Sequence, residues 1–327
     1  MSLSGSTSQF QKTMHQREVL AAPTQAHPLL PYERHVLDNG MRVIIKEVHS
    51  APIVAVDIWV GTGAANEQPH ENGIAHFLEH MFFKGTETRP VGQMDQEIKS
   101  LGGYNNAATS YDYTHYYVVL PSEHYLKALD ILSDALLNST FPPEEIEKER
   151  KVVFSEIDRK EDSPWGHLYT NFLEKIYEGN PYGKQILGSK ESLSGIQREN
   201  FLEYTRRNYH PGNLVLVIVG DVKADEALAN AKAIFGGLPA VPDEPDQLNF
   251  EIPRREQPQE FEIKKDVEGA YLLVGFPTPA LRGHPDEYAL DVASSILGEG
   301  RSSWLYQILK EEKGLVTDAE AFFWTLE

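Results

Sequence analysis

The strongest chemical signal in the chain is the pentad His76-Phe77-Leu78-Glu79-His80. On a helix, positions i and i+4 share a face with Cβ atoms about 5–6 Å apart, so both imidazoles can reach one metal ion. Glu79 flanks the same place, and a carboxylate there suits a general base that takes a proton from a water polarised by the metal. Ile74, Phe77, Leu78 and Met81 supply apolar surface to embed the helix, and a helix carrying ligands must be held rigidly. The competing reading is two solvated or core-capping histidines beside a surface Glu. A third ligand decides between them. The chain has no cysteine, so there is no thiolate site, Cys nucleophile or disulfide framework, and any metal must be held by His, Asp or Glu.

A helix expected over Pro143–Glu161 offers candidates. Ile146, Glu149, Val153, Glu156, Ile157 and Lys160 recur at spacings of three and four, so one face mixes aliphatic residues with two carboxylates. Carboxylates on an apolar stripe are costly unless paired, hydrogen-bonded or metal-bound. Glu144, Glu145, Glu147 and Asp158 lie nearby, so Glu149 and Glu156 also fit the border of an acidic, solvated helix. Spacing alone leaves both readings open. Two neutral imidazoles and one carboxylate would leave a zinc site open at its fourth position for water.

These residues must be positioned by a chain of 327 residues with 49 acidic and 30 basic side chains, a formal charge of −19. Such a length suggests about two domains. Apolar residues make up 41%, which excludes an intrinsically disordered chain. The negative balance repels phosphate backbones and argues against nucleic-acid binding, whereas a peptide would not be repelled. No apolar run approaches the roughly 20 residues of a membrane span. The first residues are Ser- and Thr-rich without the apolar core of a secretory signal, so a polar leader and a cytoplasmic protein are expected, or an organelle matrix if the leader is a transit segment.

Hydrophobic periodicity and turn residues predict strands over 34–37 and 41–46 around Asp38-Asn39-Gly40, a hairpin signal because Asn-Gly tolerates positive φ. Further strands are expected over 53–60, 104–109, 113–120 and 213–219. Helices are expected over 73–83 with Asn72 as N-cap, and over 122–138, 143–161, 165–177, 197–208 and 225–235. After a Pro-rich stretch the pattern restarts, with strands at 261–265 and 271–276 and helices at 286–297 and 303–311. The expected organisation is an α+β fold: a mobile leader over 1–31, a main domain over 32–238, a linker over 239–260, and a second, incomplete unit of similar structure over 261–327.

Other features are read as structural. Gly61-Thr62-Gly63 and Gly298-Glu299-Gly300 lack the further residues of a nucleotide loop and are expected to be turns. Tyr111, Tyr113, Tyr116 and Tyr117 suit core or sheet surface, and His115 and His124 have no partner at ligand spacing. No Gly-x-Ser-x-Gly elbow supports a serine hydrolase.

The order His-x-x-Glu-His inverts the zincin motif, and the sequence resembles the pitrilysin (insulinase) family of zinc metallopeptidases, which includes insulin-degrading enzyme and mitochondrial processing peptidase. Supporting segments occur in order: Leu37-Asp38-Asn39-Gly40, the run Gly102-Gly103-Tyr104-Asn105-Asn106-Ala107-Ala108-Thr109, Asn180-Pro181-Tyr182-Gly183, and Tyr209-His210-Pro211-Gly212-Asn213 leading to Val219-Gly220-Asp221. Glu156 lies 76 residues beyond His80, where the family places its third ligand, and Glu149 stands one heptad earlier. The resemblance implies that His76, His80 and Glu156 bind zinc, that Glu79 activates water, and that Glu149 supports the site without ligating. It implies that Asn106 and Ala107 lie on an edge strand that pairs with an extended peptide. The implied activity is hydrolysis of oligopeptides or unfolded segments, with a catalytically silent, peptide-binding subunit as the alternative. In two-subunit, processing peptidase-like members a homologous partner supplies an Arg and a Tyr opposite the zinc. The matching positions here are Lys310 and Thr317, so a homodimer or a heterodimer with a homologous subunit is expected.

Overall fold

The computed structural model describes residues 31–241, 257–278 and 285–326. Six strands form one sheet: β1 (Glu33–Val36), β2 (Arg42–Glu47), β3 (Ile53–Val60), β4 (Tyr104–Thr109), β5 (Thr114–Pro121) and β6 (Leu214–Gly220). The helices are α1 (Ile74–Met81), α2 (Gln93–Ser100), α3 (Tyr125–Asn138), α4 (Pro143–Asp162), α5 (Pro164–Ile176), α6 (Lys190–Gly195), α7 (Arg198–Asn208), α8 (Ala224–Phe235) and α9 (Glu287–Gly298).

The strand order is β1-β2-β6-β3-β5-β4, with β2–β6 parallel and the other pairs antiparallel. Side chains alternate with period two, so Val54, Val56 and Ile58 of β3 share a buried face with Tyr116 and Val118 of β5 and Leu216 and Ile218 of β6. α3 packs across β3 and β5, and α8 packs on β2. In the first hairpin only Gly40 takes positive φ, at 91°. Asn39 instead turns inward, and its Nδ2 donates to the carbonyl of Phe235 at 2.7 Å, tying the hairpin to the end of α8.

α1 sits between the sheet and a second helical layer. It meets β4 and β5 on one side and α4 and α7 on the other. Ile74, Phe77, Leu78 and Met81 are fully buried with Ile146, Val153 and Ile157 of α4 and Phe201 of α7. The Phe77 and Phe201 rings meet edge to face at 5.1 Å. Buried Arg150 fixes α4 further along, donating to the carbonyls of Leu193 and Ile196. An apolar helix anchored on three sides is the rigid support that the pentad requires.

The α+β architecture expected from the sequence is present, with three corrections. The stretches 261–265 and 271–276 form no strand: among the described residues neither enters a ladder, and a strand exists only through its ladder. Leu272 and Phe276 are consequently 83% and 80% exposed. The helix expected over 303–311 is instead wound as a π-helical turn, Tyr306–Glu312. Third, α2 and α6 were not expected: each is a short polar helix with few buried residues, Met94 and Ile98 in α2 and Leu193 in α6, too little for periodicity to register. The leader lies almost wholly outside the described residues, as does most of the 239–260 linker.

Candidate metal centre

α1 begins at Gly73, whose φ of 92° is left-handed. A Cβ there would lie 2.7 Å from the Leu187 carbonyl oxygen, so both conformation and space demand glycine. Asn72 is not the expected cap, since its side chain bonds the Glu67 carboxylate and the Gln185 carbonyl. The first-turn amides are satisfied by buried Glu67: its carboxylate accepts from Gly73 N and Ala75 N at 2.9 and 3.0 Å, and from Asn72 Nδ2 at 2.9 Å. An anion at a helix N-terminus meets unpaired N–H groups and the positive end of the dipole. Burial nevertheless pushes the Glu67 carboxyl up to about 7 against the pull of these donors.

From this start, His76, Glu79 and His80 project from one side of α1 while its apolar residues face the core. Glu156 of α4 meets both imidazoles. Its Oε2 is 3.6 Å from His76 Nε2 and 3.5 Å from His80 Nε2. Among the described residues, His76, His80 and Glu156 are the group whose ligand atoms converge, all within 4.8 Å of one another. Burial, with contributions from His80 and Lys160, lowers the His76 imidazole to about 3, so its lone pair is free for a metal at neutral pH. Two imidazoles and one carboxylate are a donor set that fits zinc.

The remaining sequence candidates sit around this trio. Glu149 does not reach the convergence point. Its Oε2 is 3.3 Å from His80 Nδ1 and its Oε1 is 2.7 Å from Lys84 Nζ. Glu79 is half-buried, and burial raises its carboxyl above the ordinary value while a hydrogen bond from the Thr109 hydroxyl, at 2.6 Å, pulls the other way. Thr109 ends β4, which among the described residues pairs only with β5 and stands at the edge of the sheet. Asn106 and Ala107 lie on that strand, opposite Tyr117 and Tyr116. Asn106 is exposed, and Ala107 packs against the core.

Sequence reasoning missed Thr109, Lys84 and Glu67 as neighbours of the site. Lys84 had a usable signal, because it continues the i, i+4 stripe of His76 and His80. His115 is accounted for by Asp57 at 3.2 Å and the Trp59 ring stacked at 4.3 Å. Lys310 lies over the Tyr306 ring of its own helical turn at 4.4 Å.

A family model described as Insulinase (Peptidase family M16) matches residues 42–190, the stretch holding the pentad and Glu156. The chain belongs to this peptidase family. A second model, described as Peptidase M16 inactive domain, matches residues 195–325. An uncharacterized zinc protease of Bacillus subtilis is 34% identical over 86% of this M16 chain and 68% of its own length. A probable mitochondrial-processing peptidase subunit beta of Arabidopsis thaliana is 32% identical over 83% of this chain and 53% of its own. A protease structure from Helicobacter pylori aligns with a TM-score of 0.77 at 28% identity, covering 91% of this chain and 73% of that one. The M16 chain spans about two thirds of the length of the curated relatives it matches. Zinc is the metal named in those relatives. No helix among the described residues is long and apolar enough to cross a membrane.

Proposed function

We propose that the chain is a zinc-dependent endopeptidase acting on oligopeptides or unfolded polypeptide segments. The observation that carries this reading is the convergence of His76, His80 and Glu156 within 4.8 Å, with Glu79 on the same side of α1. In this reading His76 Nε2, His80 Nε2 and a Glu156 oxygen hold zinc. The metal would supply Lewis acidity and an attacking water of lowered pKa. Glu79 takes the proton of that water on its carboxylate and returns it to the leaving amine nitrogen. The Thr109 hydroxyl holds Glu79 Oε2, which leaves Oε1 as the proton-accepting atom. An extended peptide adds to the outer edge of β4 at Asn106 and Ala107, so backbone hydrogen bonds position the scissile bond beside Glu79.

The reading includes a partner, either a second copy of the chain or a homologous subunit facing the zinc, and only the homologous subunit could bring the Arg and Tyr for which this chain has Lys310 and Thr317. It keeps the division into a main domain over 32–238 and a second unit beyond 260. The completion of the six-stranded sheet by β6 and of its helical cover by α8 supports that division, although the family models divide the chain earlier, between 190 and 195.

The match of 195–325 to the inactive-domain model favours a second reading, a silent peptide-binding subunit. Purified chain, alone and mixed with a homologous subunit, separates the two when assayed for zinc content and peptide hydrolysis. One tightly held zinc per chain and turnover abolished by Glu79→Gln support the enzyme. Zinc without turnover in any mixture overturns it.

A further inference from the structure

We propose that Lys84 is a positioning residue of the metal centre, holding Glu149 in the one orientation that lets it carry His80. The inference rests on the zinc reading of His76, His80 and Glu156. Lys84 follows His80 by four residues, in the turn just beyond the end of α1, where its backbone N–H donates to the Met81 carbonyl at 3.1 Å and keeps it close to the last turn of the helix. His76, His80 and Lys84 therefore form one stripe, and Glu156 and Glu149, one heptad apart on α4, face it. The pairing steps along both helices: Glu156 with His76 and His80, then Glu149 with His80 and Lys84.

His80 offers Nε2 to the convergence point, so its proton sits on Nδ1 and must be donated. Glu149 Oε2 at 3.3 Å is the acceptor. An acceptor there fixes both the tautomer and the ring plane of a ligating histidine and raises its basicity. Glu149 can do this only while its carboxylate is held, and its side chain is 12% exposed, too dry for water to hold it alone. The hold is Lys84 Nζ on the other oxygen, at 2.7 Å. The two imidazoles differ in this respect. His76 Nδ1 is buried with no hydrogen-bond partner among the described residues, so the orientation of the histidine pair depends on the His80 side. Lys84 itself is one third exposed and packs at the helix end, so removing its charge leaves the buried clusters intact.

The test is the zinc affinity of Lys84→Met, Lys84→Arg, Glu149→Gln and the double variant, by competition with a chelator, with the rate of zinc release from each loaded protein. Lys84→Met should weaken zinc and speed its release about 10–100-fold, the loss typical of an outer partner. Lys84→Arg, which keeps the charge and a donor, should stay within about threefold of wild type. The double variant should be no weaker than Glu149→Gln, because Lys84 acts through Glu149. Wild-type affinity in Lys84→Met, or additive losses in the double variant, overturns the inference while leaving the zinc reading standing. A wild-type chain that holds no zinc overturns both.

Discussion

Thr109 at the end of β4 donates its hydroxyl to Glu79 Oε2 at 2.6 Å, joining the edge strand of the sheet to the carboxylate of the helical pentad. The bond spans 30 residues of sequence and fixes one oxygen of a half-buried group whose proton affinity burial has raised. It also places the end of the sheet's edge strand next to the group assigned the proton. In the proposed reading, a peptide laid along β4 would be brought to Glu79 by the same strand that orients Glu79.

Glu79→Gln should keep zinc and lose turnover by about 10²–10⁴-fold, since the amide cannot accept the proton while the three ligands are untouched. Thr109→Val should lower kcat by about tenfold with a small change in KM, the loss of one hydrogen bond to a charged group. Steady-state kinetics with metal analysis of each variant checks both. Near-normal turnover in Glu79→Gln removes that residue from the chemistry.

Glu156→Gln and Glu149→Gln should differ in kind. Glu156 is equidistant from both imidazoles, so its loss should strip zinc from the protein. Of the two imidazoles Glu149 meets that of His80, at the nitrogen away from the convergence point, so its loss should leave a zinc protein whose affinity and turnover fall by about 10–100-fold. Zinc titration decides it, and the reverse order of affinities means that the ligand assignment is wrong.

The separation of these two carboxylates marks how far the sequence reads. His76, Glu79 and His80 are legible because three ligating or proton-accepting types within five residues define their own geometry on a helix. Glu149 and Glu156 are legible only as a pair on a mixed stripe, since which of them meets the histidines depends on how α4 crosses α1, and that is set by contacts such as Arg150 over the Phe77 ring and the shared burial of Val153 and Ile157 with Phe77 and Leu78. Thr109 leaves no local trace because its bond to Glu79 spans 30 residues, and Glu67 meets the Gly73 and Ala75 amides across a bend whose spacing matches no capping box. The sheet follows from alternation in β3, β5 and β6. The stretches at 261–265 and 271–276 have strand composition without ladder partners, and composition cannot report a missing neighbour.

The chain alone should hydrolyse peptides poorly, and a homologous subunit should raise the rate. Lys310 is a point charge without the forked donors of arginine and is engaged with Tyr306, while Thr317 is exposed and shorter than a tyrosine. Neither reproduces an Arg and Tyr pair that would stabilise an oxyanion. Leu272, Val274 and Phe276 are exposed and lie in no strand among the described residues, apolar surface that a homologous subunit would cover in this prediction. Hydrolysis by the chain, with and without a homologue lacking the pentad, checks this, and full activity of the chain alone refutes it.

The last prediction concerns Glu67 and pH. In the unfolded chain this carboxyl titrates near 4.5, whereas in the folded chain burial holds it near 7. An acid with a raised folded value contributes fully below pH 4.5, where it is protonated in both states. Above that pH the unfolded chain releases the proton first, so the contribution falls until the folded group also ionises near 7. At about 1.4 kcal/mol per unit the loss is of order 3 kcal/mol. Glu67→Gln has no such titration. It should be less stable than wild type at pH 4, because its amide leaves one of the donors at Gly73, Ala75 or Asn72 without an acceptor. Between pH 4 and pH 8 that deficit should shrink by about 2–4 kcal/mol or reverse. Urea unfolding of both proteins at the two pH values measures the change. A deficit that grows with pH would mean that the three N–H donors overcome burial and hold Glu67 as an anion at the start of α1.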